Sequence, residues 1–76
     1  MQELIEYLVR ELVDDPANAR VEPVEEQGTI VYQVYVAQSD LGKVIGRRGR
    51  IANALRVMAK AAGLKDRQRA TVEIIS

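Results

Sequence analysis

A chain of 76 residues, 47% hydrophobic and 29% charged, has the size and composition of one small folded domain, taken as residues 1–76. It contains no cysteine and no histidine, which excludes disulfides, thiolate nucleophiles, imidazole bases and the main zinc donors. The net charge of zero conceals a division: residues 40–69 hold nine Lys and Arg against Asp40 and Asp66, a balance of +7, while Arg10 and Arg20 face nine acids elsewhere, a balance of −7.

The first segment, Gln2 to Asp14, has Leu4, Ile5, Leu8, Val9, Leu12 and Val13 at helical spacing, which predicts an amphipathic helix ended by Asp14-Asp15-Pro16. Its acids Glu3, Glu6 and Glu11 are unlike a secretory or transit leader. No apolar run approaches the roughly 20 residues of a membrane span, so the expected location is the cytoplasm. Val21 to Gln27 is a weak strand, with Pro23 confining it to an edge. Thr29 to Ala37, rich in β-branched and aromatic residues, is the strongest strand in the chain, and the tight Gln27-Gly28 turn implies an antiparallel hairpin.

Ser39 or Asp40 offers a side-chain oxygen to cap a short helix. A longer helix is expected over Arg50 to Ala62, with Ile51, Leu55, Met58, Ala59 and Ala62 buried and Gly63 as its C-cap. Ala70 to Ile75 forms the last strand. The order α–β–β–α–α–β predicts an α+β fold: a three-stranded mixed sheet with three helices on one face, the hairpin antiparallel and the crossover to the last strand parallel. Of the three tyrosines, Tyr7, Tyr32 and Tyr35 are expected in the core or sheet.

Where the short helix meets the longer one lies "VIGRRGRIANALR", with Gly46 and Gly49 bracketing Arg47 and Arg48. Glycine permits positive φ and close approach of another backbone. The first amides of the following helix are unpaired and favour an anion, and two guanidinium groups add forked donors. The combination suits a sugar-phosphate backbone. No carboxylate, Ser, Tyr or Lys cluster forms a catalytic constellation, so no enzyme activity, metal or cofactor is expected. Solvated helix faces would account equally for the charges at Arg50, Arg56 and Lys60.

The glycine bracket, the preceding Val44-Ile45, the amphipathic helix after it and the element order together resemble a KH domain of type II, and the whole chain is similar to the small bacterial KhpA (YlqC-type) RNA-binding proteins. The resemblance implies single-stranded RNA binding, and single-stranded DNA with it, through a GxxG clamp on about four nucleotides. It places Gly46, Arg47, Arg48 and Gly49 in the clamp, Lys43 and Arg50 on the phosphate track, and Val44, Ile45 and Ile51 in or beneath a shallow groove for the bases. It also implies work as an RNA chaperone or post-transcriptional regulator, as a homodimer or with a larger KH-containing protein of the KhpB type. A protein-interaction adapter on the same scaffold is the alternative. One position departs from the pattern: many KH domains carry a bulky aliphatic three residues after the second glycine, where this chain has Ala52 and the bulk sits at Ile51. Either the helix is rotated, or Ile51 points toward the groove or a partner.

Overall fold

The computed structural model describes residues 1–76. Its elements are α1 (Gln2–Leu12), β1 (Arg20–Glu26), β2 (Thr29–Tyr35), α2 (Leu41–Ile45), α3 (Arg50–Lys65) and β3 (Arg69–Ile75), with single 3-10 turns at Pro16–Asn18, Gln38–Asp40 and Arg47–Gly49. Strand β2 is central, antiparallel to β1 and parallel to β3. This is the expected α+β arrangement, a three-stranded mixed sheet carrying its helices on one face.

Alternation along the strands separates the two faces. Toward the helices point Val21, Val34 and Val72, which pack with Ile5, Val9 and Val13 of the first segment, Val44 of α2, and Leu55 and Ala59 of α3. The opposite face presents a row of Glu22, Gln33 and Glu73 and a row of Val24, Val31 and Thr71. Pro23 lies opposite Tyr32 on β1, an edge strand as its missing N–H requires. The hairpin closes through Gln27 and Gly28, at φ 49° and 82°. Two successive left-handed residues match the twist of the strands they join.

Several boundaries differ from those expected, each for a tertiary reason. Helix α1 stops at Leu12, with Val13 already extended. The amides of Asp14 and Asp15 donate to the Asp40 carboxylate rather than continuing the helical ladder. Asp40 makes no capping bond to its own helix, so its expected local role is replaced by a long-range one. Strand β2 ends at Tyr35 because its partner Arg20 is where β1 begins. Gly63 is no C-cap: it is buried inside α3, which runs on to Lys65. A Cβ there would collide with the Gln68 carbonyl and stand 3.2 Å from Ala70 Cβ, so glycine lets the returning chain cross the helix closely. The buried stripe of α3 is Ala52, Leu55, Ala59 and Gly63, leaving Ile51, Met58 and Ala62 half-buried. Tyr7 is 60% exposed, outside both core and sheet.

Candidate nucleic-acid interface

The loop between α2 and α3 is built from a sequence of backbone states open mainly to glycine. Gly46 has φ 77° and ψ 173°, Arg48 has φ 57° and ψ 28°, and Gly49 has φ 73° and ψ 15°. Short bonds hold the turn: the Gly46 amide donates to the Gly42 carbonyl at 2.9 Å, and the Gly49 amide to the Gly46 carbonyl at 3.1 Å. A left-handed arginine is strained, and such strain collects at binding sites. No side chain caps the start of α3.

Gly46 also resolves the direction of Ile51. A Cβ on Gly46 would stand 2.7 Å from Ile51 Cγ1 and 2.9 Å from the Ile51 nitrogen. Ile51 is half-buried, packed on the hydrophobic core and pressed against the loop from below. Ala52 faces inward and is buried. The helix phase therefore puts the small residue in the core and the bulky one under the loop.

The neighbouring residues divide by exposure. Val44 is buried in the core, whereas Ile45 is 40% exposed beside the loop. Arg47, Arg48 and Arg50 are exposed, and Gly49 is open enough that nothing lies within 4 Å of a hypothetical Cβ. Among the cations from Lys43 to Arg69, Lys43 alone is ion-paired. Its ammonium lies 2.6 Å from Asp14 and 3.3 Å from Asp40, and these hydrogen bonds, Asp14 first, hold its pKa above the ordinary value. The structure thus brings Gly46, Arg47, Arg48, Gly49 and Arg50 together with Ile45, while Lys43 is turned toward carboxylates.

Asp40, read from the sequence as a helix cap, and Arg56, read as a solvated or RNA-facing charge, are both positioning residues in the fold. Arg56 Nε donates to the Val72 carbonyl at 3.2 Å and Nη1 to Asn53 Oδ1 at 3.0 Å, tying α3 to β3. Asp40 is 1% exposed and accepts from the Asp14 amide at 3.2 Å, the Asp15 amide at 3.1 Å and Lys43. A lone acid at the head of a basic segment was the available signal. Burial raises its pKa, but the two amides and the ammonium outweigh burial and hold it below the ordinary 3.8. Because the folded value is depressed, the stability Asp40 contributes is present above the unfolded pKa and lost as pH falls through the folded one. Asp40→Asn loses the charge and turns an NH₂ toward donors, so it is expected to lower the melting temperature by roughly 10 °C at pH 7. Protonation makes the native carboxyl resemble the amide, so the gap should close as pH drops below 3.8. Thermal unfolding across pH checks this; a gap unchanged at pH 2 contradicts it.

Glu22 and Glu73 flank Gln33 on the sheet face without helices, and Tyr35 there is covered by Arg20, 4.1 Å from the ring centroid. That face is unsuited to stacking bases in the manner of aromatic-platform readers.

A family model described as "KhpA/KhpB, KH domain" matches residues 2–74. The chain belongs to the KhpA/KhpB KH-domain family. The "RNA-binding protein KhpA" of Clostridium perfringens is 43% identical over 75 residues, covering 99% of this chain and 100% of that protein. The protein of the same name from Caldanaerobacter subterraneus is 44% identical with the same coverage, and that of Chlamydia trachomatis is 35% identical over 99% of this chain and 96% of its own. No solved structure matches the chain. The KH assignment gives the six elements a common frame: the type II order with the GxxG loop between its second and third helices.

Proposed function

We propose that residues 1–76 act as one KH domain that binds single-stranded RNA in the cytoplasm without catalysis, as an RNA chaperone or post-transcriptional regulator. The observation that carries this reading is the loop itself, where Arg47, Arg48 and Arg50 stand free of carboxylates on a backbone opened by Gly46 and Gly49. In this reading the two loop arginines hold consecutive phosphates, with the glycines admitting the sugar-phosphate backbone. Arg50 extends the track, Ile45 meets a base, and Val44 and Ile51 support the floor. Lys43 fixes α2 to the segment after α1. Single-stranded DNA shares the phosphate contacts and is bound by the same loop. Affinity is expected in the range of about 10⁻⁴ to 10⁻⁶ M. The test is anisotropy of a labelled oligouridylate at low salt, with the wild-type chain and the Arg47→Asp/Arg48→Asp variant; equal binding by the two would remove the clamp.

A partner accompanies this reading. Relatives carry the KhpA name within a family shared with KhpB, and the outer side of α3 leaves Val57 67% exposed between the exposed Ala54 and Ala61. We infer that the domain pairs with a second copy or with a larger KhpB-like KH protein, which raises affinity through effective concentration. Light scattering is expected to give a dimer mass alone, or a heteromer with the larger protein. A monomer that ignores that protein would overturn the inference.

A further inference from the structure

A second group of free cations lies at the far end of α3. Lys60, Arg67 and Arg69 line an open cavity of about 520 Å³ together with Leu64, Gln68 and Thr29. No carboxylate is in its lining, and none of the three cations is ion-paired. Gathering like charges without a counter-charge disfavours the compact state, so a cluster of this kind calls for an external anion.

The turn that presents these cations is ordered. Arg67 sits at φ 56°, in the left-handed region. Its amide donates to the Leu64 carbonyl at 3.1 Å, and the Gln68 amide to the Gly63 carbonyl at 2.7 Å. Gln68 Nε2 reaches the Gly28 carbonyl at 3.4 Å, docking the turn on the hairpin. The short hairpin contributes Thr29 to the pocket wall. Leu64, 70% exposed, supplies an apolar wall.

The pocket is connected to the loop. Asn53, Arg56, Lys60 and Leu64 recur at intervals of three and four, so they share one flank of α3. The Arg56 bond to the Val72 carbonyl shows that this flank borders β3. From Arg50 to Lys60 the flank runs roughly 15 Å along the helix axis, with cations along its length and no acid between them.

We propose that an RNA strand clamped at Gly46–Gly49 continues along this flank and places a further phosphate in the Lys60, Arg67 and Arg69 pocket. The proposal rests on the reading of the loop as an RNA clamp, and it makes this pocket a second, length-dependent contact. A cavity of this volume accommodates a phosphodiester with part of its sugar or base, the base lying on Leu64.

The test uses fluorescein-labelled oligouridylates of four and ten nucleotides at low salt, with the wild-type chain and an Arg67→Asn/Arg69→Gln variant. Asparagine tolerates the left-handed backbone at position 67. The ten-nucleotide probe offers several binding registers, a gain both proteins share. The variant is expected to bind the four-nucleotide probe as the wild type does and the longer probe roughly tenfold more weakly, with a log–log salt slope shallower by about 0.7, one phosphate contact on a single strand. Equal losses on both probes, or no loss on either, overturn the pocket and leave the clamp standing. Failure of the wild type to bind either probe overturns the clamp and the pocket together. Lys60→Gln, on an exposed helix position, repeats the test with the turn untouched should the double variant lose its fold.

Discussion

The Arg47→Asp/Arg48→Asp variant is expected to bind labelled single-stranded RNA at least roughly 100-fold more weakly than the wild type at low salt, with its melting temperature unchanged or slightly raised. Each arginine stands free of carboxylates, so each is available for a charge-assisted contact worth about 1.5–3 kcal/mol. Two such contacts exceed the roughly 2.8 kcal/mol of a hundredfold change, and reversal adds repulsion. The log–log salt slope should fall by about 1.4, two phosphate contacts on a single strand. Stability should hold for local reasons. Arg48 has φ 57°, a region aspartate enters more readily than arginine, and an acid just before α3 complements the helix dipole. Loss of binding with an intact fold therefore isolates the charge. Unchanged affinity in 20 mM salt, roughly the range where phosphate contacts dominate, would sink the assignment of these residues.

The second large effect is expected at Gly46, and it concerns stability. Gly46→Ala should cost about 2–4 kcal/mol, whereas Gly49→Ala should cost only about 1 kcal/mol. Both glycines have positive φ, but ψ 173° places Gly46 in a region that is essentially glycine's alone, while Gly49 at ψ 15° lies where other residues are found at a modest cost. Surroundings widen the difference. A Cβ at Gly46 meets the Ile51 side chain at 2.7 Å and its backbone nitrogen at 2.9 Å, and at Gly49 it meets nothing within 4 Å. The backbone nitrogen belongs to the first turn of α3 and cannot swing aside as a side-chain tip would. A domain of this size has a total stability of about 4–11 kcal/mol, so the Gly46 variant should show a clearly lower urea midpoint. Equal midpoints for the two variants would show that Ile51 yields.

Local signals carried most of the fold. The β-branched run from Thr29, the proline in β1 and the glycine bracket each marked an element by chemistry that acts within a few residues. What remained hidden depended on partners distant in sequence. Asp40 looks like a helix cap, and only folding brings it to amides 25 and 26 residues away. Gly63 looks like a helix stop because it follows the last residues of the apolar stripe and the polar Lys65–Arg69 segment begins just beyond it. Its actual role follows from the Gln68 carbonyl crossing above it. Ile51 was ambiguous because a helix pattern gives the relative phase of two adjacent residues but not which one faces inward; Gly46 decides that by leaving the space Ile51 occupies. Lys43 sits in the right segment for a phosphate contact, yet its charge is committed to Asp14 and Asp40. The spacing of the motif could not reveal that, since Asp14 belongs to another part of the chain.

The edge position of Pro23 matters most when many copies are held close together. A polyanion long enough to seat several domains concentrates them far above their bulk level, and an open strand edge is then a template for zippering one sheet onto the next. On β1 that route is obstructed. Pro23 lacks the N–H that an incoming strand would need, and Glu22, Glu25 and Glu26 around it set like charge against like charge when two such edges meet. At this edge, crowding of copies is thereby uncoupled from sheet pairing: neighbours brought together through β1 have no shared ladder to dismantle before they separate.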